Sequence, residues 1–181
     1  MNRMIAKHLL SGFAKAYDYD TEYLEKMADV SPGAFYRYLL CTPLGTYCRH
    51  APPESYLIAK LIATKHFDCG PCLELVLNMA RQAKIDDELL YAALIGDENR
   101  LPENMVIARR YALAVIEQDA SALWSSEEWI VEHWDEAALT DMALAVAFAA
   151  FYPLLRRGLG HAHSCQPVVH KLESLIKSGT N

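Results

Sequence analysis

An all-α, single-domain fold is what this sequence predicts, and three observations predict it. Apolar residues recur at helical spacing along most of the chain, and no segment alternates apolar and polar residues as a half-buried strand would. No low-complexity tract or long linker divides the 181 residues, a length that suits one large domain. Apolar residues make up 52% and charged residues 22%, which supports a sizeable core and fits neither a disordered nor a membrane-embedded chain.

The elements follow in order. Met1 to Tyr17 reads as an amphipathic helix. Asp29 to Pro53 is the least regular part, punctuated by Pro32-Gly33, Pro43, Gly45 and Pro52-Pro53, and is expected to be an elaborated connection. From Pro53 to Ala63, the pairs Leu57/Ile58 and Leu61/Ile62 recur every four residues and form one helical stripe. Leu73, Val76, Leu77 and Ala80 repeat that pattern. Asp86, Asp87 and Glu88 favour the positive end of a short helix to Ile95, which Gly96 stops. Pro102 opens a helix towards Asp119, and Ser125-Ser126-Glu127-Glu128 is expected to open the next. An Ala-rich helix from about Asp135 to Leu155 is expected to be central or at a subunit contact, because small residues allow close approach. Gly158 and Gly160 end it, and Pro167 begins a last amphipathic helix.

The net charge is -6 and no basic run stands out; Arg109-Arg110 and Arg156-Arg157 look like helix edges, so nucleic-acid binding is not expected. The N-terminus lacks the features of a signal peptide. Met142 to Leu155 contains Pro153 and reads as too short to span a bilayer, so no membrane role and a reducing, cytoplasmic setting are expected. In that setting, closely spaced cysteines point to catalysis or metal binding before a structural disulfide.

The strongest local signal is Cys69-Gly70-Pro71-Cys72. Gly70 lets the backbone turn, and Pro71 suits the first helical turn because it has no N–H to lose. Cys69 then sits at a helix N-terminus, where unpaired amides lower a thiol pKa from about 8.5 towards neutrality. The spacing brings the second sulfur within reach of a mixed disulfide on the first. Cys69 is therefore the expected attacking, exposed thiol, although local sequence leaves the reverse order open. Two further readings stay open: a pair of buried small apolar residues, or half of a zinc site completed from His161, His163, Cys165 or His170. A thioredoxin shares the four letters, but its fold needs a strand before the motif, and the lead-in here is helical.

The run from His66 to Val76 around the dithiol, then Met79-Ala80-Arg81 and Ile85-Asp86-Asp87-Glu88-Leu89, resembles the alkylhydroperoxidase D and carboxymuconolactone decarboxylase superfamily. Ala108-Arg109-Arg110-Tyr111-Ala112 and Asp135 to Thr140 fit that family's helix order. The resemblance covers residues 53–159 as a core domain, with 1–52 as a helical extension. It implies a homo-oligomeric helical bundle whose dithiol reduces hydroperoxides or disulfides, or carries electrons from a thiol or lipoyl-bearing donor, with no cofactor and no metal. The family's redox branch places a Glu twelve residues before the first cysteine, here Leu57, and a His four after the second, here Val76; the His often found between the cysteines is Pro71. The dithiol is present and the proton relay is missing. A positioned acid or base typically contributes about 10²–10⁴-fold, so peroxidase activity is expected to be weak unless another group substitutes. His66, three residues before Cys69, is the nominated proton-transfer candidate, and Asp68 reads as a cap for the following helix. Alternatives are a non-catalytic oligomer that keeps the fold, and a non-redox decarboxylase-like enzyme.

Cys41 and Cys48 read as two unrelated cysteines rather than a resolving pair, and Trp124, Trp129 and Trp134 as core or interface. Tyr36, Tyr38 and Tyr47 are read as ordinary packing, with the lining of an access path as the competing reading.

Overall fold

The computed structural model describes residues 3–161 and 163–179; among them it holds ten α-helices, two 3-10 turns and no strand. The helices are α1 (Arg3–Tyr17), α2 (Glu22–Val30), α3 (Pro32–Cys41), α4 (Pro53–His66), α5 (Gly70–Gln82), α6 (Asp87–Ile95), α7 (Glu103–Glu117), α8 (Ala120–His133), α9 (Glu136–Gly158) and α10 (Gln166–Gly179). The 3-10 turns are Thr42–Thr46 and Glu98–Arg100.

Helix α4 is the centre of the molecule. Nine consecutive or near-consecutive side chains, from Ser55 to Thr64, are buried on all sides of it, as befits a helix enclosed by neighbours. It packs on α5, α6, α7 and α9, while α10 closes over α5 and α6. The Ala-rich α9 lies against α4 and α8, and Ala138, Ala145 and Ala149 are buried there. A second apolar cluster, Leu10, Tyr19, Tyr23, Leu24, Met27 and Phe35, ties α1, α2 and α3 together.

Local signals explain most boundaries. Gly96 ends α6 in the left-handed conformation at φ 83°, which favours glycine. Asp135 caps α9 by accepting the Ala138 N–H at 2.6 Å.

Four expectations are corrected. The stretch from Asp29 to Pro53 is not mainly irregular: Pro32 opens α3, and Phe35, Tyr38 and Leu39 set a helical face behind it. Helix α8 starts at Ala120 rather than at Ser125, because the Asp119 carboxylate accepts the Ser121 and Ala122 N–H groups, both at 3.0 Å. Ser125 and Ser126 instead donate back to the carbonyls of Ser121 and Ala122 within the helix. Asp119→Ala should therefore cost about 1 kcal/mol in a urea titration. Arg156 is no helix edge, being 1% exposed. Finally, α9 runs through Pro153 for 23 residues and is long and apolar enough, by length and composition, to cross a membrane. In this fold it carries Asp141 and Arg156, both buried against protein partners.

Asp141 fastens a loop to α9. One carboxylate oxygen accepts three successive amides, Arg49 at 2.7 Å, His50 at 2.6 Å and Ala51 at 3.0 Å. Such a run of N–H groups makes a nest for an anion. That fixes the chain just before α4.

Candidate functional site

Cys69 and Cys72 form a disulfide with their Cα atoms 5.2 Å apart. Cys69 is the N-cap residue of α5, and Gly70 and Pro71 open its first turn, as the sequence implies. The surroundings are less expected. The Gly70 N–H is taken by the His163 carbonyl at 2.7 Å, Pro71 has none, and the Leu73 N–H returns to the Cys69 carbonyl at 2.8 Å. The Cys69 amide lies against the sulfur of Cys165. Few first-turn dipoles are therefore left to hold charge on the Cys69 sulfur, contrary to the expectation from the helix start alone.

The segment 163–165 covers this side of the dithiol. A Cβ on Gly70 would be driven into the Ser164 carbonyl oxygen, a backbone atom that cannot simply swing aside. Asp68, in the left-handed region at φ 48°, does not cap α5. Its carboxylate accepts the Cys165 N–H at 2.7 Å and the Ser164 hydroxyl at 3.3 Å, so it holds the turn that leads into α10. Those donors hold its carboxyl below the usual range, Cys165 first. Burial and the nearby Asp68 charge push the Cys165 thiol up to about 12, so it stays protonated. Gly70→Ala should lose about 2 kcal/mol in a urea titration, the usual scale of overpacking, because segment 163–165 must move.

Neither cysteine is the expected exposed thiol, since both are buried. Cys69 is 1% exposed and shut behind 163–165, so it is not the exposed thiol. Cys72, at 4%, lines an internal cavity of about 90 Å³. That volume holds several waters or a small molecule. Its walls are mainly aromatic and aliphatic, with Tyr19, Tyr23, Tyr38 and Tyr152 among them; Thr64 and Lys60 come from α4, and Leu75, Val76 and Met79 from α5. A more open groove of about 210 Å³, lined by Tyr17, Cys48, Tyr56 and Leu57, shares Thr46, Lys60 and Met79 with the cavity. Thr46 is exposed, and these three residues form the wall that the cavity and the groove share.

Lys60 is the residue that sequence reasoning missed. It is 4% exposed on the central helix, and its Nζ donates to the Gly45 carbonyl, which also accepts the Tyr56 hydroxyl at 2.9 Å. Its ammonium sits 5.7 Å from the Tyr56 ring centre. Among the described residues no carboxylate pairs with it. Burial lowers its pKa to about 8. Burial raises Tyr23 and Tyr38, and raises Tyr152 to about 12, so these wall hydroxyls remain neutral donors.

The other nominated groups lie elsewhere. His66 is exposed on the last turn of α4, against the edge of Phe67, and does not line the cavity. Glu74 pairs with Lys171 at 2.8 Å. Tyr38 lines the cavity, whereas Tyr36 and Tyr47 are exposed and line neither space. Cys41 is a free, exposed thiol; Cys48 is half-buried, donates to the Ala51 carbonyl at 3.3 Å, and burial pushes its pKa up. Trp124 is exposed, while Trp129 stacks on His133 with centroids 4.0 Å apart. Ala162, within the His161 to Cys165 segment, lies outside the described residues; among those described, no three His, Cys, Asp or Glu side chains gather as a metal site.

No protein-family model, no curated protein and no solved structure matches this chain.

Proposed function

We propose that this chain is a thiol-disulfide redox protein in which Cys72 reacts and Cys69 resolves, on a bundle of the alkylhydroperoxidase D type. The observation that carries the reading is that Cys72, and not Cys69, lines a cavity whose wall residues Thr46, Lys60 and Met79 also line a groove at the surface. A reduced Cys72 thiolate attacks a small hydroperoxide and becomes a sulfenic acid; Cys69 then displaces water to restore the disulfide. A dithiol donor, such as a lipoyl group, returns both thiols. The small cavity favours a compact reactant over a bulky one, and homo-oligomerisation belongs to the same proposal. The positions that carry the family's relay line these spaces as apolar residues, Leu57 on the groove and Val76 on the cavity.

The test is hydroperoxide consumption with dihydrolipoamide as donor, for the wild-type chain and for Cys72→Ser and Cys69→Ser. The reading expects wild-type turnover, none with Cys72→Ser, and a single stalled oxidation with Cys69→Ser. The burial of both sulfurs favours a second reading, a structural staple. That reading predicts no turnover by any form and a lower melting temperature on reduction.

A further inference from the structure

Resting on the redox reading, we propose that Lys60 is the acid–base partner of Cys72: its ammonium holds the Cys72 thiolate and gives its proton to the departing oxygen.

Three features of the structure lead there. First, the start of α5 offers Cys69 few unpaired amides, so thiolate stabilisation at this dithiol needs another source. Second, Lys60 and Cys72 line the same small cavity, one from α4 and one from α5, and Lys60 also lines the groove. Third, the ammonium is nearly wholly buried with a carbonyl and an aromatic ring for company but no counter-charge. A lone ammonium in an apolar setting costs several kcal/mol unless an anion joins it or it loses its proton. The reduced dithiol supplies that anion.

The groups facing Lys60 leave it no rival. Tyr38 from α3, Tyr152 from α9, Tyr23 from α2 and Tyr19 just before it meet it across the cavity. On the groove side are Tyr17, Tyr56 and Cys48. Among the described residues, none of α6 or α7 lines either space, and no Asp, Glu, Arg or second Lys does. Burial raises Tyr23, Tyr38, Tyr56, Tyr152 and Cys48, which favours their neutral forms near pH 7. Among the described residues that line the two spaces, the group that can become an anion there is therefore the Cys72 thiol.

The steps balance. Cys72 thiolate attacks the distal oxygen of a hydroperoxide, the O–O bond breaks, and the alkoxide takes a proton from the Lys60 ammonium, giving an alcohol, a Cys72 sulfenic acid and a neutral amine. The Cys69 thiol attacks the Cys72 sulfur; its proton leaves with the hydroxide as water, and the disulfide forms. A dithiol donor then reduces the disulfide and is itself oxidised to a disulfide. The proton on the regenerated Cys72 thiol returns to the Lys60 amine, resetting the pair.

Both partners can be titrated without turnover. In a Cys69→Ser background, Cys72 is the sole thiol on its tryptic peptide, and iodoacetamide labelling against pH reads its thiolate. The expected midpoint lies below that of a free cysteine. Lys60→Met should raise it by at least one pH unit, about tenfold less thiolate at neutral pH, and Lys60→Arg should keep it low. A midpoint indifferent to Lys60→Met overturns the pairing. Should Lys60→Met not fold, NMR of the wild-type chain with labelled lysine gives the answer directly. The Lys60 midpoint, near 8 in the disulfide form, should climb by a unit or more on reduction; the same midpoint in both forms overturns the proposal. These readouts separate the two claims. Midpoints that move in a protein without turnover would retain the pairing and refute the redox reading; turnover with unmoved midpoints would do the opposite.

Discussion

Asp141→Ala is expected to lower stability by roughly 3 kcal/mol, because it strands three amides at once, that of Ala51 buried and those of Arg49 and His50 half-buried. An unpaired buried donor costs about 1–3 kcal/mol, and the loop can recover part of that by letting in water. Loss here also frees the chain leading into α4, the helix around which the rest packs. Asp141→Asn separates charge from shape: the amide keeps an oxygen for one or two N–H groups but turns a donor on a site built for an anion. Acid titration gives the sign. Burial pushes the Asp141 carboxyl up, and the amides of His50, Ala51 and Arg49 overcome this, leaving the folded pKa below its ordinary value of 3.8. A depressed carboxyl contributes stability that is complete above the unfolded pKa and lost as pH falls through the folded one. Wild-type unfolding free energy should therefore fall on acidification below about pH 4, and Asp141→Asn should flatten that part of the curve while lowering its neutral plateau. Urea unfolding at pH 7, 5, 4 and 3 measures both. An unchanged plateau would show that the nest does not hold the loop.

How far the sequence foretold the fold and the site depends on how local each cause is. The Cys69–Cys72 corner was legible because Gly70, Pro71 and the two sulfurs act within one turn. Gly96 as a stop was legible for the same reason, whereas the expected stripe on α4 is a helix buried on all sides. What lay out of reach was whatever a distant segment decides. Cys69 looked exposed until segment 163–165 folded over it, and Asp68 looked like a cap for α5 until Cys165, 97 residues later, took its carboxylate. The meaning of Asp141 rests on amides 90 to 92 residues away. Lys60 left one local trace. It stands in a helix otherwise apolar from Tyr56 to Ala63, with no acidic residue three or four positions to either side. A solvated lysine on a helix usually has such partners or a polar face around it, so that pattern could have flagged it.

Arg156→Leu should cost roughly 3 kcal/mol and loosen the cavity wall together. The guanidinium is almost wholly buried, yet every arm is used. It meets the Asp20 carboxylate at 2.6 Å, the Asp20 carbonyl at 3.1 Å, the Tyr19 hydroxyl at 3.2 Å and the His161 carbonyl at 2.8 Å. Its plane also lies over the Tyr23 ring, 4.7 Å from the centre, and that of Tyr19 at 5.4 Å. Leucine replaces some of the packing and none of the donors. Arg156→Lys restores charge but brings a single ammonium in place of a planar fork, so most of the loss should remain. With a urea slope of about 2 kcal/mol/M, the midpoint should drop by about 1–2 M in Arg156→Leu. Because Tyr19 and Tyr23 wall the cavity beside Cys72, the consequence extends to chemistry. In the reduced Arg156→Leu protein, at a pH where Cys72 is fully ionised, iodoacetamide should label it faster than in wild type, since access then sets the rate. Lys60→Arg, which leaves Arg156 in place, should not show that acceleration. Equal labelling in Arg156→Leu and wild type would mean that the clamp stabilises α1 and α2 without governing the way in to the dithiol.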